Sequence, residues 1–168
     1  YGAPGITVIR NALVTHGHKV TVVAPELNQS GASVSVTSGD ISVEEKKAGI
    51  WAVKGKPADA VRIGLGFVLK DNRPDLVVSG ANMGQNLGAD ANSSGTVGAA
   101  IMAVQLGVPA IAVSAGLRFD ERDDKSQFAS TLAVFPDVGD FIVRLIDALD
   151  RSKARDGALL PTRTLLNV

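Results

Sequence analysis

Between Asp75 and Ala100 the chain reads DLVVSGANMGQNLGADANSSGTVGAA, a stretch rich in neutral hydrogen-bonding groups. Asn82, Asn86, Asn92, Ser93, Ser94 and Thr96 carry carboxamides and hydroxyls, and Gly80, Gly84, Gly88 and Gly95 let a main chain approach a bound group closely. Amides, hydroxyls and carboxamides in this density suit an oxyanion such as phosphate. Ser94-Gly95-Thr96 leads into VGAAIMAVQL, which reads as a helix beginning near Val97. The first amides of such a helix lack intrahelical partners, and its dipole favours an anion. Positive charge is scarce, yet phosphoryl transfer needs cationic groups or a bridging metal at the equatorial oxygens.

A second polar loop, Glu26 to Ser33 (ELNQSGAS), follows the apolar run that ends in Val22-Val23-Ala24-Pro25. A third, Gly55-Lys56-Pro57-Ala58-Asp59, precedes another helical pattern, AVRIGLGFVLKD. Asp59 is the charged residue of that first turn, where a carboxylate complements the helix dipole. Gly64 and Gly66 form a G-x-G inside an apolar helical pattern, so they are no dinucleotide fingerprint, which must directly follow a strand. His16 and His18 lie at a helix end without a neighbouring carboxylate or third histidine, and a structural or solvated role is expected for them.

These blocks, with Ala3-Pro4-Gly5-Ile6 and the spacing S-G-x-N-x-G-x-N-x-G followed by S-S-G-T, resemble the SurE family of metal-dependent nucleotide phosphatases. They occur in the family's order and at similar separations across nearly the whole chain. The resemblance implies hydrolysis of nucleoside monophosphates, with some members also acting on short polyphosphates. It implies Ser30 and Asn82 as ligands of a divalent cation, Mg²⁺ or Mn²⁺, and Asn86, Ser94, Gly95 and Thr96 as phosphate-binding residues. Asp59 is a second-tier candidate, because its turn lies near the site in the family. The family's aspartate pair falls in an N-D-D-G block before the position of Tyr1, so the catalytic residues are not assigned within this chain. Serine and asparagine oxygens are weak ligands and suit a hard cation when carboxylates supply the charge. The alternative is a non-catalytic nucleotide- or phosphate-binding domain that keeps the cradle without its metal. The family also implies a homodimer or higher homo-oligomer for the complete chain.

The chain's 168 residues fit one domain able to bury a substantial core. The expectation is a single α/β domain over 1–168, apparently truncated at both ends, since Tyr1-Gly2-Ala3-Pro4 begins in a turn and the last strand stops abruptly. Cysteine is absent, which excludes a disulfide framework, a thiolate metal site and a cysteine nucleophile and is compatible with the expected cytoplasmic location. Seventeen basic residues balance seventeen acidic ones without a dense basic run, which argues against a nucleic-acid polymer as partner. No apolar run approaches the roughly 20 residues of a membrane helix.

The positioning elements follow from periodicity. Pro4 starts a helix with Ile6, Ile9 and Leu13 on one stripe, and residues 19–24 form a strand. Helix followed by strand suggests a β-α-β unit whose first strand is missing. Residues 34–53 read as hairpin-like strands turning at Ser38-Gly39-Asp40, with Glu44 to Lys47 as a solvated turn and Trp51 in core or interface. Leu76-Val77-Val78 and residues 108–113 read as buried strands. Residues 114–127 read as an exposed connection, with a mobile flap as the alternative. A helix from Phe128 carries Phe141, Ile142, Leu145, Ile146 and Leu149 as its apolar face, residues 151–156 form a charged surface segment, and residues 164–168 begin a final strand. The fold class expected is a doubly wound, Rossmann-like parallel sheet with helices on both faces and an appended β-hairpin.

Overall fold

The computed structural model describes residues 1–122, 128–153 and 157–168. In chain order its elements are α1 (Pro4–Thr15), β1 (Val22–Pro25), β2 (Val43–Lys47), β3 (Ile50–Val53), α2 (Pro57–Ile63), β4 (Val77–Met83), α3 (Gly95–Gln105), β5 (Ala110–Ala115), α4 (Ala129–Ala133), α5 (Phe135–Ser152) and β6 (Leu165–Asn167). The strands form two three-stranded sheets. One has the order β4-β5-β6 and is parallel throughout. The other has the order β1-β3-β2, with β1 and β3 parallel and β2 antiparallel to β3. This is the expected α/β architecture with parallel strands.

Strand β5 shows why helices cover both faces. Successive strand side chains point to opposite faces, and all of Ala110, Ile111, Ala112 and Val113 are buried. Ile111 and Val113 join Ile9 and Leu13 of α1 and Ile142, Val143 and Ile146 of α5 in one cluster. Ala110 and Ala112 join Val97, Ala100 and Ala103 of α3 in the other. Small residues on the α3 side bring that helix close to the sheet, so its N-terminus stands at the strands' carboxyl edge.

Several elements differ from their sequence reading. The hairpin turns at Ala48-Gly49, not at Ser38-Gly39-Asp40, and residues 34–42 form no strand. Main-chain groups there are used elsewhere: Thr37 N–H donates to the Asp59 carboxylate and Ser35 N–H to the Ala32 carbonyl. Glu44 to Lys47 is the outer strand of that sheet and no turn; its charges face solvent on an edge, as edge strands require. Helix α2 ends at Ile63 and continues as one wide turn over Gly64–Val68. Strand β4 runs through Met83, so Gly80 and Asn82, read as loop, belong to the sheet after a register shift between Ser79 and Asn82. The helix from Phe128 is two helices, the second opening at Phe135 with Pro136 in its first turn, and Phe141 is exposed while Val143 is buried. Trp51 is half-buried in β3, with Phe67 edge-on at 6.5 Å. His16 is exposed at the C-terminus of α1, its Nδ1 2.8 Å from the Ala12 carbonyl oxygen. Of the segment 114–127, Ser114 and Ala115 complete β5, residues 116–122 run on largely at the surface, and 123–127 lie outside the described residues, as do 154–156 of the charged segment.

The first turn of α1 lies directly on β4. A Cβ at Gly5 would stand 2.0 Å from the Ala81 carbonyl oxygen, whereas one at Gly2 would meet nothing within 4 Å. Gly5→Ala should therefore lower stability by about 1–3 kcal/mol, the usual cost of overpacking, and Gly2→Ala should be neutral. Urea midpoints of the two variants check this; equal midpoints would refute the close contact.

Candidate functional site

The polar loops meet at the carboxyl edge of the parallel strands, where open α/β folds bind ligands. Helix α3 begins at Gly95, two residues before the expected start, with Ser94 as N-cap. The Ser94 hydroxyl oxygen, almost wholly buried, accepts the Val97 N–H at 3.2 Å. The Gly95 and Thr96 amides have no hydrogen-bond partner among the described residues. Two unpartnered donors at the positive end of an eleven-residue helix are groups to which an anion could bind.

The Ser30 loop is pressed against this helix start. Ser33 N–H donates to the Ser93 carbonyl at 3.0 Å, and Ser33 Oγ donates to the Asn92 carbonyl at 2.6 Å. Gly95 and Gly98 are needed for that approach: a Cβ at Gly98 would lie 2.1 Å from Ser33 O, and one at Gly95 3.3 Å from Gln29 O. Ser30 itself is exposed, its Oγ donating to Asn28 Oδ1 at 2.8 Å, which leaves its lone pairs open.

Asp59 anchors the far end of the loop. Its carboxylate is fully buried and accepts the Lys56 N–H at 3.0 Å and the Thr37 N–H at 3.0 and 3.2 Å, with Arg62 Nη1 3.8 Å away. A buried carboxylate needs such donors. Asp59 thereby fastens residues 33–37 to the start of α2, and it touches no open space in which a ligand would sit. Its part at the site is to hold the Ser30 loop.

On the other side, Asn82 stands in β4 opposite Ser114. Its Nδ2 donates to the Gly84 carbonyl at 2.7 Å, which leaves Oδ1 as its open group. Asn86 Nδ2 donates to Ser114 Oγ at 2.7 Å, keeping one further N–H, and the Asn86 carbonyl accepts Asn167 Nδ2 at 2.8 Å. Gln85 Oε1 accepts the Leu117 N–H at 3.0 Å. Ser114, Gln85 and Asn167 were not singled out in the sequence; their signal is their place at or just past the carboxyl ends of β4, β5 and β6. Asn82 and Thr96 line the same cavity of about 700 Å³, so the strand-borne carboxamide and the helix start face one space.

The open oxygens of Ser30 and Asn82 are hard, neutral donors, of the kind Mg²⁺ or Mn²⁺ accepts. The described residues contain no cluster of three or more His, Cys, Asp or Glu that would hold a metal. Neutral donors of this kind do not supply the charge a hard cation needs, so its anionic ligands would have to come from other residues. The His16 and His18 pair joins no such cluster.

The family model described as "Survival protein SurE" matches residues 1–168. The chain is 41% identical over 147 residues to "5'-nucleotidase SurE 1" of Burkholderia lata, covering 87% of this chain and 54% of that protein. It is 38% identical over 173 residues to "5'-nucleotidase SurE" of Thermosynechococcus vestitus, covering 99% and 58%. It is 48% identical over 113 residues to "5'-nucleotidase SurE" of Paramagnetospirillum magneticum, covering 67% and 44%. The crystal structure of the SurE protein from Aquifex aeolicus is similar with a TM-score of 0.81 and 33% identity, over 99% of this chain and 60% of that one. The chain thus spans about half the length of the curated relatives it matches.

Asp59→Asn keeps the volume of the side chain but replaces one acceptor oxygen by a donor facing main-chain N–H groups. It should cost about 1–3 kcal/mol, the penalty for stranding buried donors, and should raise amide exchange at Thr37. A variant with unchanged Thr37 exchange would contradict the anchoring role.

Proposed function

The chain belongs to the SurE family, and on that premise we propose that it carries the phosphate cradle and part of the metal site of a phosphomonoesterase that hydrolyses nucleoside monophosphates to nucleoside and phosphate. The observation that carries this reading is the helix start at Gly95, where two amides have no partner among the described residues and Thr96 borders the same cavity as Asn82. Short polyphosphates, which end in the same phosphoryl group, are a second substrate class. The reading extends to a homodimer or higher homo-oligomer in the cytoplasm; no helix among the described residues is long and apolar enough to cross a membrane.

In this reading the Gly95 and Thr96 amides, the Thr96 hydroxyl and the remaining Asn86 N–H donate to the phosphoryl oxygens, and Ser94 keeps the helix start in shape. Ser30 and Asn82 hold a divalent cation, Mg²⁺ or Mn²⁺, together with an aspartate pair that family resemblance assigns to residues ahead of Tyr1. The bound cation supplies the positive charge that the phosphoryl group requires and makes water a stronger nucleophile. The binding residues are neutral, which suits a site whose charge comes from the cation. A cradle that binds nucleotide without cleaving it is not favoured, since the relatives across the matched length bear the name of a nucleotidase.

The test compares this chain with a version extended through a strand ending in two aspartates, each assayed on nucleoside monophosphates with Mg²⁺ or Mn²⁺. The extended form should release phosphate and stop on chelation, while this chain alone should be nearly inactive; equal activity of the two would overturn the assignment of the charged ligands. In the active form, Asn82→Ala should weaken metal affinity, whereas Asn86→Ala should mainly raise KM or slow turnover. Metal loss in Asn86→Ala with retention in Asn82→Ala would reverse the two roles. Thr96→Val should weaken nucleotide binding by about 1–3 kcal/mol, measured by calorimetry, and unchanged affinity would remove Thr96 from the cradle.

A further inference from the structure

Ser33 is where the loop that carries Ser30 meets the start of α3. Among the described residues, both hydrogen bonds between that loop and residues 88–98 begin at Ser33: its N–H donates to the Ser93 carbonyl at 3.0 Å and its Oγ to the Asn92 carbonyl at 2.6 Å. Its own carbonyl oxygen lies against Gly98, where a Cβ would come within 2.1 Å. Residues 28–32, in contrast, bond to one another. Asn28 Oδ1 accepts the Ser30 N–H at 3.0 Å and the Ser30 hydroxyl at 2.8 Å, and the Ala32 N–H donates to the Gln29 carbonyl at 3.2 Å. Ser30 thus rides on a self-bonded turn, and the hydrogen bonds that set the place of this turn against α3 come from Ser33. Ser33 does this at a φ of 53°, in the left-handed region that a residue with a Cβ seldom adopts. Such a backbone persists where its surroundings over-determine it, and here N–H, hydroxyl and carbonyl are all engaged.

We propose that Ser33 is a positioning residue of the phosphate site. It touches no phosphate itself; by holding the two peptide groups just ahead of α3 it sets the direction of the helix's first amides and their place relative to Ser30. The role rests on the reading of the α3 start as the phosphate-binding end. The geometry leads there in two steps. In a trans peptide unit the carbonyl and the following N–H point in opposite directions. Holding the Asn92 and Ser93 carbonyls toward Ser33 therefore turns the Ser93 and Ser94 N–H groups away from the loop. That of Ser93 donates to the Asp90 carbonyl at 3.2 Å, and that of Ser94 has no partner among the described residues, as with Gly95 and Thr96. The second step concerns the hydroxyl. Glycine would adopt this backbone without steric cost, but only a side chain with a short donor also reaches the Asn92 carbonyl. Without that bond the Asn92–Ser93 peptide is free to turn, the first amides of α3 lose their common direction, and phosphate is held less tightly.

The test titrates inorganic phosphate into the isotope-labelled chain and into its Ser33→Ala and Ser33→Gly variants, with affinity read from the Gly95 and Thr96 amide resonances. Both variants lose the hydroxyl. Ser33→Gly also relieves the left-handed backbone, so it supplies a folded form even where Ser33→Ala is too strained to fold. Each folded variant should bind phosphate about three- to tenfold more weakly, the range that one lost hydrogen bond implies. A serine with a purely structural part would shift the urea midpoint and leave phosphate affinity as it was. Unchanged affinity in either folded variant would overturn the role of the Ser33 hydroxyl and leave the phosphate reading intact. Gly95 and Thr96 resonances that phosphate does not move in the unaltered chain would overturn the phosphate reading itself, and this role with it.

Discussion

Main-chain hydrogen bonding is the constraint on which this structure turns. A parallel sheet is stable when its strands are paired and both its faces are covered, and here helices cover both faces of β5. Helices α1 and α5 bury Ile111 and Val113, and α3 buries Ala110 and Ala112. Between β1 and β4 no strand among the described residues stands. The halves are held in relation by helices: α1 reaches from the rim of the cavity to β4 through Gly5 and to α5 through Gly139, where a Cβ would meet Val8 and Ala12 at 3.1 and 3.2 Å. On the opposite side α2 lies against α3, and a Cβ at its Gly64 would meet Val23 of β1 at 3.4 Å.

The candidate site inherits its geometry from that frame. Its two sides sit on different sheets: Ser30 follows β1, and Asn82 lies in β4. Ser33 ties the first loop to residues 92 and 93, just ahead of α3, and the Asp59 carboxylate ties it to α2. These contacts consume the Asp59 carboxylate. Asp59 offers its oxygens to Thr37 and Lys56, which is why a residue that draws attention as a carboxylate beside a polar loop serves as an anchor. The outcome is a site with directed neutral donors and little charge of its own, suited to phosphate in the company of a cation.

Much of this was legible in the sequence because local signals and tertiary needs coincide. Ser94 before a run of small residues specifies both a cap and a close-packed helix, and both are present. The apolar runs at Leu76 and Val108 specify parallel strands. What was not legible depended on partners far along the chain. Residues 34–42 alternate well enough for a strand, but the amide of Thr37 finds Asp59 twenty-two residues away, and a ladder does not form. Asn82 reads as loop because two glycines flank it, yet β5 supplies Ser114 as its partner and the strand continues past the irregularity at Gly80. Ser114 carries no motif and gains its role as support of Asn86 from strand order alone.

The central claim is that the start of α3 is the phosphate-binding end of a site shared with the Ser30 and Asn82 loops. Titrating the isotope-labelled chain with adenosine monophosphate, and separately with inorganic phosphate, measures this at each backbone amide. The account predicts that both ligands move the Gly95 and Thr96 amide resonances most, with smaller changes along residues 28–33 and 82–86. Largest shifts elsewhere, for instance along β2 or around Arg118, with Gly95 and Thr96 unmoved, would contradict it.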